Sequence, residues 1–197
     1  AGSRRYKDIS GPDGKPDGYV DSYDRTVIGN GNPKFFGGIN NEFRYGNFDF
    51  SFLFTYSYGN DILNSSKATL NEAGSFQGGS ADLAFHWTNT NPQVNMALWD
   101  RNYNTEYNYN SSYLVEDGSY LRLKNIMLAY TLPVTRFKSV PIKRLRIYAS
   151  AQNLLTLTHY TGFDPEVNYF NSIITPGADL GGYPHSRIYT LGINAAF

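Results

Sequence analysis

Eleven residues, Phe48 to Tyr58, read FDFSFLFTYSY, and every even-numbered position is aromatic: Phe48, Phe50, Phe52, Phe54, Tyr56 and Tyr58. The odd positions carry Asp49, Ser51, Leu53, Thr55 and Ser57. Side chains alternate faces along a strand, so this stretch has one aromatic face and one mostly polar face. On a helix the same rings would scatter around the cylinder and leave no face to bury. The stretch is therefore a strand. Gly46-Asn47 just before it is a two-residue hairpin turn, and Phe35 to Tyr45 also alternates. Closing the hairpin there sets Tyr45 opposite Phe48, Phe43 opposite Phe50, Ile39 opposite Phe54 and Phe35 opposite Tyr58, with Arg44 facing Asp49 on the other side. A slip of one residue would mix the two faces, so this register is strongly specified.

An aromatic stripe of this length needs an apolar solvent. A sandwich core interlocks aliphatic side chains with fewer rings, whereas a transmembrane barrel has an apolar exterior girdled by aromatics and a polar interior. Lipid is the better match. The 197 residues include 17 Tyr, 13 Phe and 19 Gly, with 17 basic and 17 acidic residues and a net charge of zero. Nucleic acid as a partner would require a basic surplus, and none is present. No run approaches the roughly 18 apolar residues of a membrane-spanning helix, which leaves a barrel open. Cysteine is absent, so disulfides, thiolate chemistry and Cys-based zinc sites are excluded. The N-terminal AGSRRYKD carries no apolar signal region, as expected of a mature chain or a fragment.

Tyr6 to Asp24 is rich in Gly, Pro and Asp and reads as a loop. Within it Asp13, Asp17, Gly18, Tyr19, Val20, Asp21 and Asp24 follow the order of a calcium loop, but Lys15 stands at a ligand position and Asp24 replaces the longer bidentate Glu. A solvated turn is the expectation, and no metal is assigned. Gly59 to Gly118 is long, polar and full of Asn, Ser and Gly, with a possible helical turn at Val94 to Tyr103. A loop this long fits one end of an outer-membrane barrel. Its Trp87, Trp99 and Tyr103, with Tyr107, Tyr109 and Tyr113, are candidates for stacking on a substrate or partner, although packing of the loop onto itself accounts for them more simply. His86, His159 and His185 are scattered without a spaced carboxylate or second His, so none is assigned to a metal or a general base.

In Gly118 to Pro133, Leu121 and Leu123 share one phase while Ile126, Leu128 and Tyr130 share the other, which predicts a strand with a β-bulge near Lys124-Asn125. Pro133 and Pro141 bracket a short turn. A further strand alternates Leu145, Ile147, Ala149 and Ala151 with Arg146, Tyr148, Ser150 and Gln152. Thr158 to Ser186 is loop again, and its Asp164 and Glu166 read as an exposed turn and its cap, not as a catalytic pair. The chain closes with Tyr189, Leu191, Ile193, Ala195 and Phe197 on one face of a last strand. No constellation of nucleophile, base or metal ligands points to an enzyme, and no cofactor is implied.

The terminal Phe197, with Tyr189, Leu191 and Ile193 at alternate positions before it, resembles the insertion signal that ends many outer-membrane barrels. The runs SYLRLKNIMLAYTLP, RLRIYASAQNLLTLTHYTGFDPEV and YPHSRIYTLGINAAF resemble the end of the SusC/RagA family of TonB-dependent outer-membrane transporters. DRTVIGNGNPKFFGGINNEFRYGNFDFSFLFTYSYGNDI resembles the same family's preceding strands. The resemblance implies an all-β fold in which residues 1–197 are the last five or six antiparallel strands of a 22-stranded transmembrane β-barrel, with the plug domain and upstream strands absent. It implies outer-membrane lipid as surroundings, the TonB complex as energy source through the absent N-terminal part, a SusD-like surface lipoprotein as partner, and an oligosaccharide or peptide as cargo. The short turns at Gly46-Asn47 and Pro133 to Pro141 would then be periplasmic and the long segments after Tyr58 and Thr158 extracellular. Two other readings share part of the pattern: a secreted carbohydrate-binding β-sandwich, and a passive porin.

Overall fold

The computed structural model describes residues 6–71, 79–94, 111–133, 141–168 and 176–197. The alternating segments form β1 (Phe35–Tyr45), β2 (Phe48–Tyr58), β5 (Tyr120–Leu132), β6 (Arg144–Thr158) and β8 (Ile188–Ala196). They pair antiparallel in the order β1-β2-β5-β6-β8, each strand beside the one that precedes it in this series. Three shorter strands, β3 (Asp61–Asn64), β4 (Val115–Asp117) and β7 (Ala178–Asp179), form a second sheet in the order β4-β3-β7.

The β1–β2 register is the one the alternation predicts: Tyr45 pairs Phe48, Phe43 pairs Phe50, Ile39 pairs Phe54 and Phe35 pairs Tyr58. Arg44 Nε lies 3.1 Å from Asp49 on the opposite face. Gly46 takes φ +57°, the left-handed conformation that the first central residue of a type II′ turn requires. From β2 the apolar phase passes to β5 through Phe48–Tyr130, Phe50–Leu128 and Phe52–Ile126, and above the bulge through Phe54–Leu123 and Tyr56–Leu121. It continues to β6 through Tyr130–Ile147 and Leu128–Ala149, and to β8 through Ile147–Ile193, Ala149–Leu191 and Ala151–Tyr189. One face of all five strands is thus apolar. Its large side chains, among them Phe35, Ile39, Phe43, Leu128, Leu157, Leu191 and Ile193, remain exposed.

Rings on this face meet at contact distances, with Phe35 stacked on Tyr58 at 4.9 Å and Phe48 against Tyr130 at 4.6 Å. Burying each such side chain is worth about 1.5–3 kcal/mol. The face as a whole is therefore built to be covered by something apolar. The strands, 9 to 15 residues long, match the 9–11 residues that cross a bilayer at a tilt, with a margin at the rims. No helix among the described residues is long and apolar enough to span a membrane.

The predicted bulge is present. Leu53 pairs Asn125 and Phe54 pairs Leu123, which leaves Lys124 unpaired. On its other side Leu123 pairs Leu155 and Asn125 pairs Gln152, so β6 carries two extra residues, Asn153 and Leu154, at the same level. Asn153 adopts φ +52° and donates from Nδ2 to the Ser186 carbonyl at 3.0 Å, which ties β6 to the chain entering β8.

Directly after Tyr58 the described residues form regular structure that their polar composition does not suggest. Gly59, at φ +77°, turns the chain into β3; Asn64 then caps α1 (Ser65–Leu70) by accepting from the Lys67 amide at 2.9 Å. Ile62 and Leu114 are fully buried and form the small core of the second sheet. Most of the Val94 to Tyr103 segment lies outside the described residues. In the N-terminal loop the aspartates hold backbone amides. Asp24 accepts from Ile9, Ser10 and Asp21, Asp17 from Tyr19, and Asp21 from Tyr23. The amides of Asp21, Ile9 and Ser10 lower the Asp24 carboxyl below its ordinary range. These bonds close the loop on its own carboxylates.

Candidate functional site

The second face of the five-stranded sheet carries the charges. Arg146 reaches across β5 to Asp49 at 3.3 Å, so Asp49 holds two arginines, and Ala129 beneath this bridge is buried. Nearer the loop end, Arg122 projects from β5 between Thr55 and Thr156. It is only 2% exposed because residues 161–168 fold back over it.

Asp164, on that returning segment, is the centre of the site. Its Oδ1 accepts from Arg122 Nη2 at 2.5 Å and from the Glu166 amide at 2.9 Å. Its Oδ2 accepts from the His185 amide at 2.9 Å and lies 2.8 Å from His185 Nδ1. Burial opposes ionisation of Asp164, but the amides of His185 and Glu166, the Arg122 guanidinium and the His185 ring outweigh it and hold the carboxyl at about 2. Glu166 extends the network. It accepts from the Tyr120 hydroxyl at 2.8 Å, and Arg122 Nη1, His185 Nδ1 and Lys124 Nζ lie at 3.4, 3.7 and 3.9 Å.

This corrects two expectations. Asp164 does cap the Glu166 amide, as a turn residue would, but it is buried and ion-paired instead of lying in an exposed loop. His185 has two carboxylates beside it, although none is near in sequence. Both follow from the loop closing onto β5, a contact that spans 42 residues between Arg122 and Asp164.

Asp164, Glu166 and His185 have ligand atoms within 4.8 Å of one another, the one such group among the described residues. The positive charge these carboxylates need is already supplied by Arg122, and Asp164 Oδ2 is already engaged by the His185 amide and ring. The donor set therefore fits an ion network better than a metal.

A second buried cluster pins the same loop to the small sheet. Glu116 accepts from Lys67 Nζ at 2.9 Å and from the Thr161 amide at 2.9 Å. The Tyr160 hydroxyl donates to Asp179 at 2.5 Å, and Asp179 also accepts from the Gly181 amide at 2.8 Å. Burial and the Asp179 carboxylate raise the Tyr160 hydroxyl well above its ordinary range, which keeps it a donor. Between the clusters and the wall, a cleft of about 580 Å³ opens on the polar face, lined in part by Phe36, Thr55, Ser57, Tyr120, Lys124 and Glu166.

Of the aromatic candidates, Trp87 is half-buried in its own loop, while Trp99 and Tyr103 lie outside the described residues. Tyr113, named with them, lies under the Lys67 ammonium at 4.4 Å and packs within the loop region. Tyr189, Leu191 and Ile193 project from β8 on the apolar face, and Phe197 follows directly after that strand.

A sheet of meandering strands, apolar on one side and charged on the other, belongs to the class of transmembrane β-barrel walls. The comparisons with known proteins agree. No family model matches the chain. TonB-dependent receptor P3 of Formosa agariphila is 39% identical over all of this chain, which covers 19% of that protein. TonB-dependent receptor P26 of the same organism is 34% identical over all of the chain and 20% of its own length. TonB-dependent receptor SusC of Bacteroides thetaiotaomicron is 28% identical over 98% of the chain and 19% of its length. Among solved structures, the RagAB peptide importer in its closed-closed state superposes with a TM-score of 0.72 and 26% identity, over 95% of this chain and 20% of that one. The chain belongs to the SusC/RagA family of TonB-dependent receptors. It spans about a fifth of the length of the curated relatives it matches.

Proposed function

We propose that this chain is the C-terminal part of the barrel of a TonB-dependent outer-membrane transporter, a 22-stranded barrel with a plugged lumen. The observation that carries the reading is the division of one continuous sheet into an uncovered aromatic face and a charged face. Lipid suits the first, and a water-filled lumen or a plug domain suits the second. The two clusters that fasten the loop between β6 and β8 lie at the end of the sheet assigned to the cell exterior, where they give that loop a fixed base.

In this reading the whole protein imports a peptide or an oligosaccharide, with a SusD-like surface lipoprotein over its extracellular loops and energy from the TonB complex through parts outside these residues. The RagAB neighbours, described as a peptide transporter, support the peptide alternative. Trp87, Trp99 and Tyr103 are offered as contacts to cargo or lipoprotein. Tyr189, Leu191, Ile193 and Phe197 are offered as the insertion signal.

The test is uptake by cells carrying the full-length protein, given labelled oligosaccharide and peptide mixtures. Uptake should disappear on deletion of the transporter and equally on loss of TonB. Uptake that survives loss of TonB would identify a passive porin instead.

A further inference from the structure

The ion network leaves one donor of Arg122 unused. Nη2 and Nη1 face Asp164 and Glu166, but among the described residues Nε is buried and has no hydrogen-bond partner. Arg122 is only 2% exposed within this chain, so its burial owes nothing to strands outside these residues. A buried charged donor without an acceptor carries the full penalty of desolvation, and such an orphan calls for an explanation. Arg122 lies on the wall of a cavity of about 230 Å³ between β6, residues 162–165 and the chain entering β8. Asn153, Thr156, Asp164, His185 and Arg187 share that wall.

The wall favours an anion. Thr156 pairs directly with Arg122 across the β5–β6 ladder, so its hydroxyl stands on the same polar face, and Arg187 adds a second guanidinium. In and beside the cavity Arg122, Lys124 and Arg187 face the two carboxylates Asp164 and Glu166, which leaves one positive charge in surplus. Asp164 opposes an anion less than a free carboxylate would, because each of its oxygens is already engaged by two groups. A water would supply an acceptor for Nε but no charge. An oxyanion supplies both, with oxygens enough for donors that arrive from different elements. The volume lies below the roughly 300–1,000 Å³ of small-molecule sites, so the cavity takes an ion and not a unit of cargo.

We infer that this cavity binds one small inorganic oxyanion of phosphate size, accepting from Arg122 Nε, the Thr156 hydroxyl and Arg187. The ion fastens the returning loop to β5 and β6. It acts beside the Arg122–Asp164 pair and takes no part in recognising cargo.

The test uses the full-length protein in detergent, with folding verified by heat-modifiable electrophoretic mobility. Calorimetric titration with potassium phosphate at pH 7 should show one saturable site. Arg122→Lys keeps a cation beside Asp164 while deleting Nε, and Thr156→Val deletes the hydroxyl with little change of shape. Each should weaken phosphate by about tenfold or more, the loss expected for a charge-assisted hydrogen bond. Phosphate at ten times its Kd should also slow hydrogen exchange at the Glu166 and His185 amides by about tenfold, since an ion that binds only the closed loop stabilises it by mass action. Phenyl phosphate carries the same oxyanion on a body too large for the cavity and should not compete. No binding by the folded protein, or binding unchanged in both variants, would overturn the inference. So would binding without slower exchange, or competition by phenyl phosphate, because either would place the anion on an open surface.

Discussion

Replacing Arg122 by Met removes the cation that the buried loop carboxylates were folded around. The two side chains of the Arg122–Asp164 pair are 2% and 5% exposed, so water cannot take the place of the guanidinium. Breaking a buried pair from one side costs about 3–5 kcal/mol, because the remaining charge is left uncompensated. Asp164 would keep the amides of Glu166 and His185 and the His185 ring, which places the loss near the lower end, at about 3 kcal/mol. The loss should fall on the loop and not on the strands, since Thr55 and Thr156 pair with β5 through backbone.

Hydrogen exchange of the full-length protein reads this directly at the amides of Glu166 and His185, which both donate to Asp164. A change of about 3 kcal/mol corresponds to exchange faster by about a hundredfold or more. The double variant Arg122→Met with Asp164→Leu should recover a substantial part of the protection of the loop backbone, because no charge is then stranded. Unchanged exchange at Glu166 and His185 in Arg122→Met would show that the pair does not hold the loop.

Three further outcomes are expected. The Asp164 carboxyl is depressed from its ordinary 3.8 to about 2, so the stability it lends the loop is fully present above 3.8 and is lost as pH falls through about 2; protease sensitivity of the loop should stay flat from pH 7 to 5 and rise below about 4. Phe52→Arg should lower barrel stability in lipid by about 2–4 kcal/mol, and the neighbouring Ser51→Arg by clearly less, measured by denaturant unfolding in vesicles. Gly192→Val should destabilise the β6–β8 seam by about 1–3 kcal/mol, since the Tyr148 ring occupies the space where a Cβ would stand; a neutral result in the same unfolding assay would refute that packing.

The β1–β2 hairpin was legible to the residue, because alternation and a Gly-Asn turn allow one register and no other that keeps rings together. The bulge at Lys124 was legible too, since one extra residue reverses the phase of every later side chain. The companion bulge at Asn153-Leu154 was not. Two extra residues restore the phase, so Ala151, Leu155 and Leu157 still fall on one face and the sequence shows no break. The Arg122–Asp164–His185 network was hidden for a different reason. Arg122 sits in an ordinary polar phase and Asp164 in an ordinary turn, and only closure of a long loop brings them together. The small β3-β4-β7 sheet escaped because its strands are two to four residues long, too short to display a period.

The central claim is that the aromatic face of β2 meets lipid and its polar face does not. Trp placed at position 52 or 51 of the full-length protein, in a background lacking other Trp, would be challenged with vesicles containing brominated acyl chains. Quenching should be strong at 52 and weak at 51, although the positions are adjacent. Equal quenching at both positions, or none at either, would contradict the account.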